Sequence, residues 1–389
     1  MHVTSAAERA IRKGHPWLFA DAVESVSFNG RSGDLAVIFD RKRRFLAVGL
    51  YDPHSPIRVR ILQQGQPEKI NDFWFEGKIT AAAAVRAGLP SCGTTGYRLV
   101  HGENDGLPGL VIDRYGETFV LKLYTTAWLP YLPTIIEVLT AVVCPQHLVL
   151  RLSRTIQKEE MFGLTDGQLL LGESLPEYVV FKENDLLFAV DVVRGQKTGF
   201  FLDQRDNRAR VEELAQNRSV LNSFAYTGGF SLYAARGGAC HVVSVDLSEP
   251  ALATAVHNFR LNGLATPHEI MAGDAFEVMT ALATNGRLFE MVIIDPPSFA
   301  KKQSEVARAL AAYGRLAQLG LQLLVPGGTL VMASCSSRVD AQSFFDVIQE
   351  TAQQVKRPLS EIERTGHPLD HPIGFKEGAY LKCLWAIAP

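Results

Sequence analysis

Residues 219–248 of the sequence read SVLNSFAYTGGFSLYAARGGACHVVSVDLS. The apolar run Val220–Phe224 predicts a strand, Gly228-Gly229 a turn, and Phe230–Ala235 a helix that ends at Gly237-Gly238. A second apolar run then leads into Asp246. A βαβ unit of this kind presents backbone N–H groups where its first strand ends. Because an acid at the end of the second strand suits the hydroxyl pair of a ribose, the stretch predicts a nucleoside site at a sheet edge.

The turn in this unit does not spell G-x-G-x-x-G, since position 226 is Tyr and position 231 is Ser. That fingerprint serves the pyrophosphate of a dinucleotide. S-adenosylmethionine has a ribose, an adenine and an amino-acid tail but no phosphate, so it needs only one close approach of the backbone. We therefore expect S-adenosylmethionine as the cofactor. A nicotinamide site is the weaker alternative, and a structural turn without a ligand is the other.

Three acids follow successive strands: Asp246 the second, Asp274 the third and Asp295 the fourth. Ligands of open α/β sheets bind outside these strand ends. We expect Asp246 to bind the ribose, Asp274 the adenine amino group, and Asp295 to face the reacting centre. Any one of them could instead cap the helix that follows it.

The segment Asp295-Pro296-Pro297-Ser298-Phe299 is a sharper signal. Two prolines fix the backbone and remove two N–H donors, which leaves carbonyl groups facing the cleft. Such a loop suits a flat base with an exocyclic amino group, on which Phe299 would stack. A rigid strand-to-helix connector is the alternative.

The fifth strand, Thr329–Ala333, runs into Ser334-Cys335-Ser336, which places Cys335 beside Asp295 at the same sheet edge. Carbon 5 of a pyrimidine becomes nucleophilic enough for methylation only after a nucleophile adds at carbon 6, and a thiolate suits that addition. The alternative is a buried structural cysteine. We expect Cys335 and Asp295 to be the catalytic pair, and Cys92, Cys144, Cys240 and Cys383 to be structural.

Strands and helices alternate from about residue 195, which predicts a parallel, doubly wound sheet of the α/β class, with two antiparallel strands at the end of the chain. We predict three domains: a β-rich domain over 1–70, an α+β domain over 71–192 and a Rossmann-like domain over 193–389. Asp203 is expected to cap the helix through Leu214, and Gln204, Arg205 and Asn207 to hold the carboxylate of the methionine tail.

The chain has 389 residues, 47% apolar and 21% charged, without an uninterrupted apolar run of about 18 residues. The N-terminus lacks the order of a signal peptide, and the five cysteines have neither zinc-site nor disulfide-framework spacing. We therefore expect a cytoplasmic protein without a metal or a membrane partner.

Charge is unevenly distributed: residues 1–70 carry 11 Lys and Arg against 7 Asp and Glu, and the remainder 28 against 34. Cations bind phosphates and aromatic rings stack on unpaired bases. We expect RNA contacts from the N-terminal motifs and from the loop after Asp295, through Arg12, Lys13, His15, Trp17, Arg41, Lys42, Arg43, Arg44 and Phe299. For the run 41–44, an exposed hairpin tip is an equally good reading.

These residues resemble the ribosomal RNA large subunit methyltransferase I family of class I S-adenosylmethionine-dependent enzymes. The motifs that carry the resemblance are Gly14-His15-Pro16-Trp17, the run 102–110 (GENDGLPGL), the run 198–205 (TGFFLDQR), the run 224–231 (FAYTGGFS), Asp295-Pro296-Pro297-Ser298-Phe299 and Ser334-Cys335-Ser336. The resemblance implies an N-terminal PUA domain, a central α+β domain, a Rossmann-like catalytic domain and a homodimer. It also implies 5-methylcytosine formation in 23S ribosomal RNA with Cys335 as the nucleophile.

The predicted cofactor-binding residues are Gln204, Arg205, Asn207, Phe224, Ala225, Tyr226, Thr227, Gly228, Gly229, Asp246, Leu247, Ser248, Asp274, Ala275, Asp295 and Pro296. One position departs from the family, which often has Asp where this chain has Asn222. A cofactor contact there would be weaker, or would come from the backbone only.

The sequence thus predicts a flipped cytosine bound by Asp295 and its loop, attacked at carbon 6 by Cys335 and methylated at carbon 5. An amino-group methyltransferase acting on guanine or adenine is the alternative, because the same loop suits nitrogen transfer and that chemistry needs no thiol. A non-catalytic RNA-binding assembly factor and, more distantly, a nicotinamide dehydrogenase are the remaining alternatives.

Overall fold

The alternating strands and helices form a seven-stranded sheet in the computed structural model, which describes residues 1–27, 29–158 and 163–389. The strand order is β16-β15-β14-β17-β18-β20-β19. The elements of this part of the chain are α4 (Arg205–Leu214), β14 (Ser219–Ser223), α5 (Gly229–Arg236), β15 (His241–Asp246), α6 (Glu249–Leu261), β16 (His268–Ala272), α7 (Ala275–Thr284), β17 (Phe289–Ile294), α8 (Val306–Gln322), β18 (Leu324–Ser334), α9 (Ala341–Gln354), β19 (Ser360–Thr365) and β20 (Lys382–Ala388).

The central strands read as nearly continuous apolar runs because helices cover both faces of the sheet. In β14, β15 and β17, Val220 lies opposite Val242 on one side and Met291 on the other, all in parallel register. The last two strands are antiparallel, with Ser334 of β18 opposite Lys382 of β20. The predicted α/β class with a Rossmann-like sheet is confirmed.

The strand order reverses at β14, whose neighbours are β15 on one side and β17 on the other. At such a switch point the helices that follow the two strands leave towards opposite faces, and a crevice opens at the carboxyl ends. The fold therefore brings the ends of β14, β15, β17 and β18 to the edge where the sequence predicted the ligand.

The N-terminal part of the chain forms a separate six-stranded sheet with order β2-β6-β5-β4-β1-β3. The elements are β1 (His2–Val3), α1 (Ser5–Arg12), β2 (Trp17–Phe19), β3 (Val23–Ser25), β4 (Leu35–Phe39), β5 (Phe45–Tyr51) and β6 (Ile57–Gln64). The apolar runs Leu35–Phe39, Phe45–Leu50 and Ile57–Leu62 predict strands, and β4, β5 and β6 confirm them. The helix α1 was missed, although Thr4 caps it by accepting a hydrogen bond from the N–H of Ala7 (3.3 Å).

A third, five-stranded sheet follows, with order β11-β10-β9-β8-β7. The elements are α2 (Asp72–Arg86), β7 (Gly96–His101), β8 (Leu110–Tyr115), β9 (Thr118–Leu123), α3 (Leu132–Val143), β10 (His147–Leu152) and β11 (Leu169–Leu171), followed by β12 (Val179–Glu183) and β13 (Leu186–Val190) around a turn at Asn184-Asp185. Trp74, Phe75 and Trp128 lie in the core of this region.

The segment Thr126–Val143, a 3₁₀ turn followed by α3, is apolar and long enough to cross a membrane by length and composition. Its side chains Trp128, Leu132, Ile135 and Leu139 are buried in the core of the third sheet. Core helices of globular domains pass the same test, so this segment is explained as part of that core.

The described residues divide into two units. The first contains Met1–Asp185, Val190–Leu202 and Leu369–Lys376, and the second contains Leu186–Ala189, Asp203–Pro368 and Glu377–Pro389. The three-domain division at residues 70 and 192 stays a prediction.

The motif GENDGLPGL at 102–110 has structural partners within the first unit. Asp105 forms a bidentate ion pair with the fully buried Arg86 (2.9 and 2.8 Å), and Glu103 accepts a hydrogen bond from the Trp17 indole (2.9 Å). Asn104 accepts a hydrogen bond from the N–H of Gly374 (2.6 Å). The motif therefore holds three distant parts of the chain together.

A candidate active site at the carboxyl edge of the sheet

The turn after β14 is built from residues in the left-handed region. Phe224, Tyr226 and Gly228 have φ values of 63°, 48° and 82°. The N–H of Ala225 donates to the carbonyl of Val245 on β15 (2.9 Å), which fixes the turn against the neighbouring strand. Left-handed backbone at a non-glycine residue costs about 1–3 kcal/mol and is concentrated at binding sites.

Asp246 lies at the end of β15 and shapes this turn. Its carboxylate accepts hydrogen bonds from the N–H of Tyr226 (2.7 Å) and from the N–H of Ser248 (2.9 Å). Each carboxylate oxygen has a second acceptor position, so both can also receive a ligand hydroxyl. The geometry fits the predicted ribose contact.

Three buried polar atoms beside the turn have no hydrogen-bond partner within the described part of the chain: Asn222 Oδ1, Ser223 Oγ and Thr227 Oγ1. Buried polar groups are nearly always satisfied, so orphaned ones at a strand end mark the place of a ligand or water. S-adenosylmethionine is rich in donors and acceptors, and these residues fit it.

The side-chain nitrogen of Asn222 has a partner, in contrast to its unpartnered Oδ1. Its amide donates to Ser231 (2.8 Å), Ser231 lies 2.7 Å from Ser244, and Ser244 lies 2.8 Å from Nε2 of His268. Burial, with a smaller contribution from His241, lowers the pKa of His268 to about 4. Asn222 is thus the first member of a hydrogen-bonded series of side chains that ends at His268.

Asp274 caps α7 by accepting hydrogen bonds from the N–H groups of Phe276 (2.9 Å) and Glu277 (3.3 Å). This is the structural alternative that the sequence left open, and the cap uses only one oxygen of an exposed carboxylate. Ala275 is buried behind it, and Ser248 caps α6. Leu247 is 77% exposed, an apolar surface beside Asp246 that a bound adenosine would cover.

The proline-rich loop after β17 meets the end of β18 at Tyr313, a buried residue of α8. The Tyr313 hydroxyl lies 2.8 Å from Ser334 Oγ and donates to Ser336 Oγ (3.3 Å), which in turn lies 2.9 Å from Ser298 Oγ. Burial raises the pKa of Tyr313, and the charges of Cys335 and Asp295 raise it further. Hydrogen bonds with Ser334 and Ser336 oppose this shift, and the two predicted catalytic residues both lie within electrostatic range of the hydroxyl.

The loop after Cys335 is held by Lys382, which the sequence analysis did not single out. Lys382 is 4% exposed, and its Nζ donates to the carbonyl oxygens of Ser336 (2.5 Å), Val339 (2.6 Å) and Tyr380 (3.2 Å). The one sequence signal that could have pointed to Lys382 is its charge, because it stands at the start of the apolar run 382–388.

The turn 202–204 departs from its prediction. Asp203 does not cap α4: the chain enters the helix through a 3₁₀ turn, Gln204 occupies the cap position, and Asp203 accepts a hydrogen bond from the Tyr380 hydroxyl (2.8 Å). Asn207 donates to Gln204 and accepts from Thr365 (both 2.5 Å). Gln204, Arg205 and Asn207 are all buried.

Tyr380 joins this turn to the predicted catalytic edge, because its carbonyl accepts from Lys382 while its hydroxyl binds Asp203. Phe299 is half-buried against Tyr313, with 5.2 Å between ring centroids. Pro296 is buried and Asp295 is half-buried.

Two of the predicted RNA-binding segments of the first unit, those of Arg12 and Arg44, meet at Asp40. Asp40 accepts hydrogen bonds from Arg12 (3.0 Å) and Arg44 (2.9 Å), which brings the two basic segments together. Residues 41–44 are exposed at the tip between β4 and β5. Trp17 packs edge-on against His15 (5.8 Å) and Phe375 (5.1 Å).

Among the remaining cysteines, Cys383 is buried, and burial raises the pKa of its thiol far above the ordinary value. Cys92, Cys144 and Cys240 are exposed, so they do not serve as core residues. Cys335 is half-buried at the end of β18, the one strand end that carries a thiol in the described structure.

The family model described as an S-adenosylmethionine-dependent methyltransferase matches residues 142–385, and one described as a PUA-like domain matches residues 1–64. A ribosomal RNA large subunit methyltransferase from Deinococcus radiodurans is 46% identical over 99% of this chain and 96% of its own length. Ribosomal RNA large subunit methyltransferase I from Aliivibrio fischeri is 37% identical over 98% and 97%.

Two solved structures share the fold over the whole chain. One, described as an S-adenosylmethionine-dependent methyltransferase from Streptococcus mutans, has a TM-score of 0.85 at 24% identity and covers 100% of this chain and 99% of its own. The other, a methyltransferase complexed with S-adenosylhomocysteine, has a TM-score of 0.87 at 23% identity and the same coverage. With the strand-end geometry above, these matches show that the chain belongs to the ribosomal RNA large subunit methyltransferase family, S-adenosylmethionine-dependent enzymes with an N-terminal PUA-like domain.

Proposed function

We propose that this protein methylates carbon 5 of a cytosine in large-subunit ribosomal RNA. The observation that carries the proposal is Cys335, a half-buried thiol at the end of β18 beside the strand end that carries Asp295. A methyltransferase acting on nitrogen or oxygen has no use for a thiol at this position, whereas carbon 5 of a pyrimidine requires a nucleophile.

In the proposed reaction, Cys335 adds to carbon 6 of the flipped base as the thiolate, and the double bond between carbons 5 and 6 opens to leave carbon 5 nucleophilic. S-adenosylmethionine supplies the methyl group from its sulfonium. The carbon-5 proton then leaves to a base, the bond between carbon 6 and Cys335 breaks, and the double bond re-forms. The thiolate returns unchanged, so the step balances without an external reductant.

We assign Asp295 to the edge of the base. A carboxyl group hydrogen-bonded to N3 and the exocyclic amino group withdraws charge from the ring and assists addition at carbon 6. Its neighbours support this role, because Pro296 and Pro297 carry no N–H groups and Ser298 is tied to Ser336 (2.9 Å). The loop is therefore held rigidly while a base enters.

For the cofactor we propose that the turn 224–229, Asp246, Leu247 and Ser248 hold the nucleoside, and that Gln204, Arg205 and Asn207 hold the tail. The orphaned atoms of Asn222, Ser223 and Thr227 support the first assignment. Asp274 and Ala275 would receive the adenine through the carboxylate oxygen that the α7 cap leaves open.

The RNA substrate is inferred from the names of the relatives and from the basic surface of the first unit. Arg12, Lys13 and residues 41–44 are exposed on that surface, where phosphates would be neutralised. His15 and Trp17 are in contact with each other and would supply aromatic rings for stacking on unpaired bases. We place the reaction in the cytoplasm, where ribosomal RNA is found, and keep the homodimer as a prediction.

The first test is the Cys335→Ala substitution. We expect methyl transfer to 23S RNA lacking the modification to fall to background, because carbon 5 is no longer activated. We also expect loss of the stable covalent complex that wild-type protein forms with RNA containing 5-fluorocytosine, whose carbon-5 fluorine cannot leave as a proton does. Tritium transfer and denaturing gel electrophoresis measure the two effects.

The equilibrium affinity for S-adenosylhomocysteine serves as the control and should be unchanged in this variant. Full methyl transfer by Cys335→Ala, with the product mapped to a purine amino group, would replace the proposal with the nitrogen-methylating alternative. A wild-type protein that binds the cofactor but transfers no methyl group to any ribosomal RNA would favour a non-catalytic assembly factor.

A further inference from the structure

Lys382 is a lysine in a place where lysines are rarely found. It opens β20 directly opposite Ser334, the residue before Cys335, and only 4% of it is exposed. Lysine is almost never fully buried unless it is paired, because the removal of an ammonium group from water is strongly unfavourable. The burial of the Lys382 ammonium group at this point of the sheet edge therefore requires an explanation.

The hydrogen bonds of Lys382 explain part of this position. Two of its three donors go to the carbonyl oxygens of Ser336 (2.5 Å) and Val339 (2.6 Å), in the loop that follows Cys335. The third goes to the carbonyl of Tyr380 (3.2 Å). These acceptors are neutral, so they satisfy the donors and orient the loop but do not balance the charge.

The ionisable groups around this ammonium lie on the elements packed against it. Cys335 and Asp340 act on it from the loop 335–340, and both oppose the effect of burial, which lowers the pKa of Lys382 to about 8. Asp340 also caps α9 by accepting from the N–H of Ser343 (2.9 Å). Tyr313 and Asp295 also belong to this set, since the charges of Cys335 and Asp295 both raise the pKa of Tyr313.

We propose that Lys382 is a positioning residue that keeps Cys335 as a thiolate at neutral pH and fixes the loop carrying it. The inference rests on the proposed nucleophilic role of Cys335. The Cys335 proton goes to solvent, while Lys382 keeps its own proton and provides the opposite charge. An opposite charge within about 4–6 Å typically lowers the pKa of an acid by one to three units.

The direct test is the pH dependence of Cys335 alkylation by iodoacetamide, followed by peptide mass spectrometry, since only the thiolate reacts. We expect the Lys382→Met substitution to raise the pH of half-maximal alkylation by about one unit or more. The Lys382→Arg substitution keeps the charge and should restore most of the shift. An unchanged profile in a folded Lys382→Met protein would overturn the proposal.

Two controls separate this effect from general damage. Cys240 is exposed on the same unit, so its alkylation profile in the same sample should not change. The Lys356→Met substitution removes an exposed lysine from that unit and should leave the Cys335 profile at the wild-type position. A shift at Cys240, or in Lys356→Met, would mean that the change is not specific to Lys382.

A second measurement covers the case in which Lys382→Met does not fold. Coupling between two ionisable groups is reciprocal, so removing the thiolate must lower the pKa of Lys382 further. We expect competitive acetylation of Lys382 in Cys335→Ala to titrate at a lower pH than in wild-type protein. An unchanged titration would overturn the proposal.

These experiments are independent of the proposed function, because alkylation and acetylation need neither RNA nor methyl transfer. If Cys335→Ala methylates RNA normally, the nucleophile assignment fails while the coupling between Lys382 and Cys335 can still be measured. If Cys335→Ala is inactive and the alkylation profile of Lys382→Met is unchanged, the proposed function stands and the role of Lys382 fails.

Discussion

At the scale of single residues, Asp246 combines two tasks that can be separated by substitution. Its oxygens accept hydrogen bonds from the N–H groups of Tyr226 and Ser248, and we propose that the same oxygens bind the ribose. We expect Asp246→Ala to weaken S-adenosylhomocysteine binding at least about tenfold, because charge-assisted hydrogen bonds contribute roughly 1.5–3 kcal/mol. Asp246→Asn keeps one oxygen and should lose less. Calorimetric titration measures both affinities.

The neighbouring substitution Glu249→Ala is the matched control for Asp246. Glu249 is an exposed acid in the first turn of α6, so its removal changes the local charge without touching the turn 224–229. Wild-type affinity is expected in this control. An Asp246→Ala protein that binds the ligand as tightly as wild type would remove Asp246 from the proposed site.

Single residues at strand ends were the easiest to predict, because a parallel sheet brings those ends together whatever the loops do. The positions of Asp246, Asp295 and Cys335 at the ends of strands were predicted in this way, while their roles in the site stay predictions. Lys382 was not predicted, since its partner Ser336 is 46 residues away and reaches it only through the antiparallel pairing of β18 with β20. Asp203 was misread because a 3₁₀ turn and an N-cap have the same sequence signal.

At the scale of elements, β16 carries a histidine whose charge state affects folding. His268 stacks on Phe259 with 3.9 Å between ring centroids, and burial lowers its pKa to about 4. The folded state therefore binds fewer protons than the unfolded state between about pH 6.5 and 4, so stability is lost as pH falls through this window. We expect a loss of about 2 kcal/mol, measured by urea unfolding at pH 7 and pH 4.5.

The His268→Gln substitution should remove this part of the pH dependence, since glutamine keeps an acceptor for Ser244 but does not titrate. His257 is an exposed histidine on α6, which makes His257→Gln a suitable control that should keep the wild-type slope. An equal slope in His268→Gln and wild type would show that His268 is not the group responsible.

The type of an element was predictable where its hydrophobic pattern extends over many residues. The boundaries of the elements were less predictable. The strand β18 begins at Leu324, five residues before the predicted start at Thr329, because Pro326, Gly327 and Gly328 interrupt the apolar pattern from which a strand is predicted. The helix α1 was missed because its eight residues carry a single fully buried side chain, Ile11, so the apolar period is faint.

At the scale of the whole molecule, the uneven charge of the sequence has a structural counterpart. The basic segments around Arg12 and Arg44 are distant in sequence but meet at Asp40, which no local pattern could have predicted. A hydrogen bond from the Arg44 N–H, with others from Arg44 and Lys42, keeps the pKa of Asp40 below its usual range. Asp40 therefore stays ionised at neutral pH and can pair with Arg12 and Arg44 there.

This surface gives a prediction for RNA binding by the full-length protein. Arg41, Lys42 and Arg43 are exposed, while Arg44 is held by Asp40, so the triple substitution of the first three by Ala removes cations without disturbing the fold. Each phosphate contact contributes about 0.7 to the slope of log affinity against log salt for single strands. We expect that slope to fall in magnitude by up to about two, with affinity reduced for all RNA sequences alike.

The comparison protein carries Arg260→Ala and Lys356→Ala, two exposed cations of the second unit, and should keep the wild-type slope. Methyl transfer at saturating RNA should be unchanged in the triple variant, since residues 41–43 would act in binding and not in the reaction. Equal slopes in the triple variant and wild type would mean that RNA binds elsewhere. A lower slope combined with a lower saturated rate would mean that the basic tip also orients the target base, because binding alone cannot limit the rate once every enzyme molecule carries RNA.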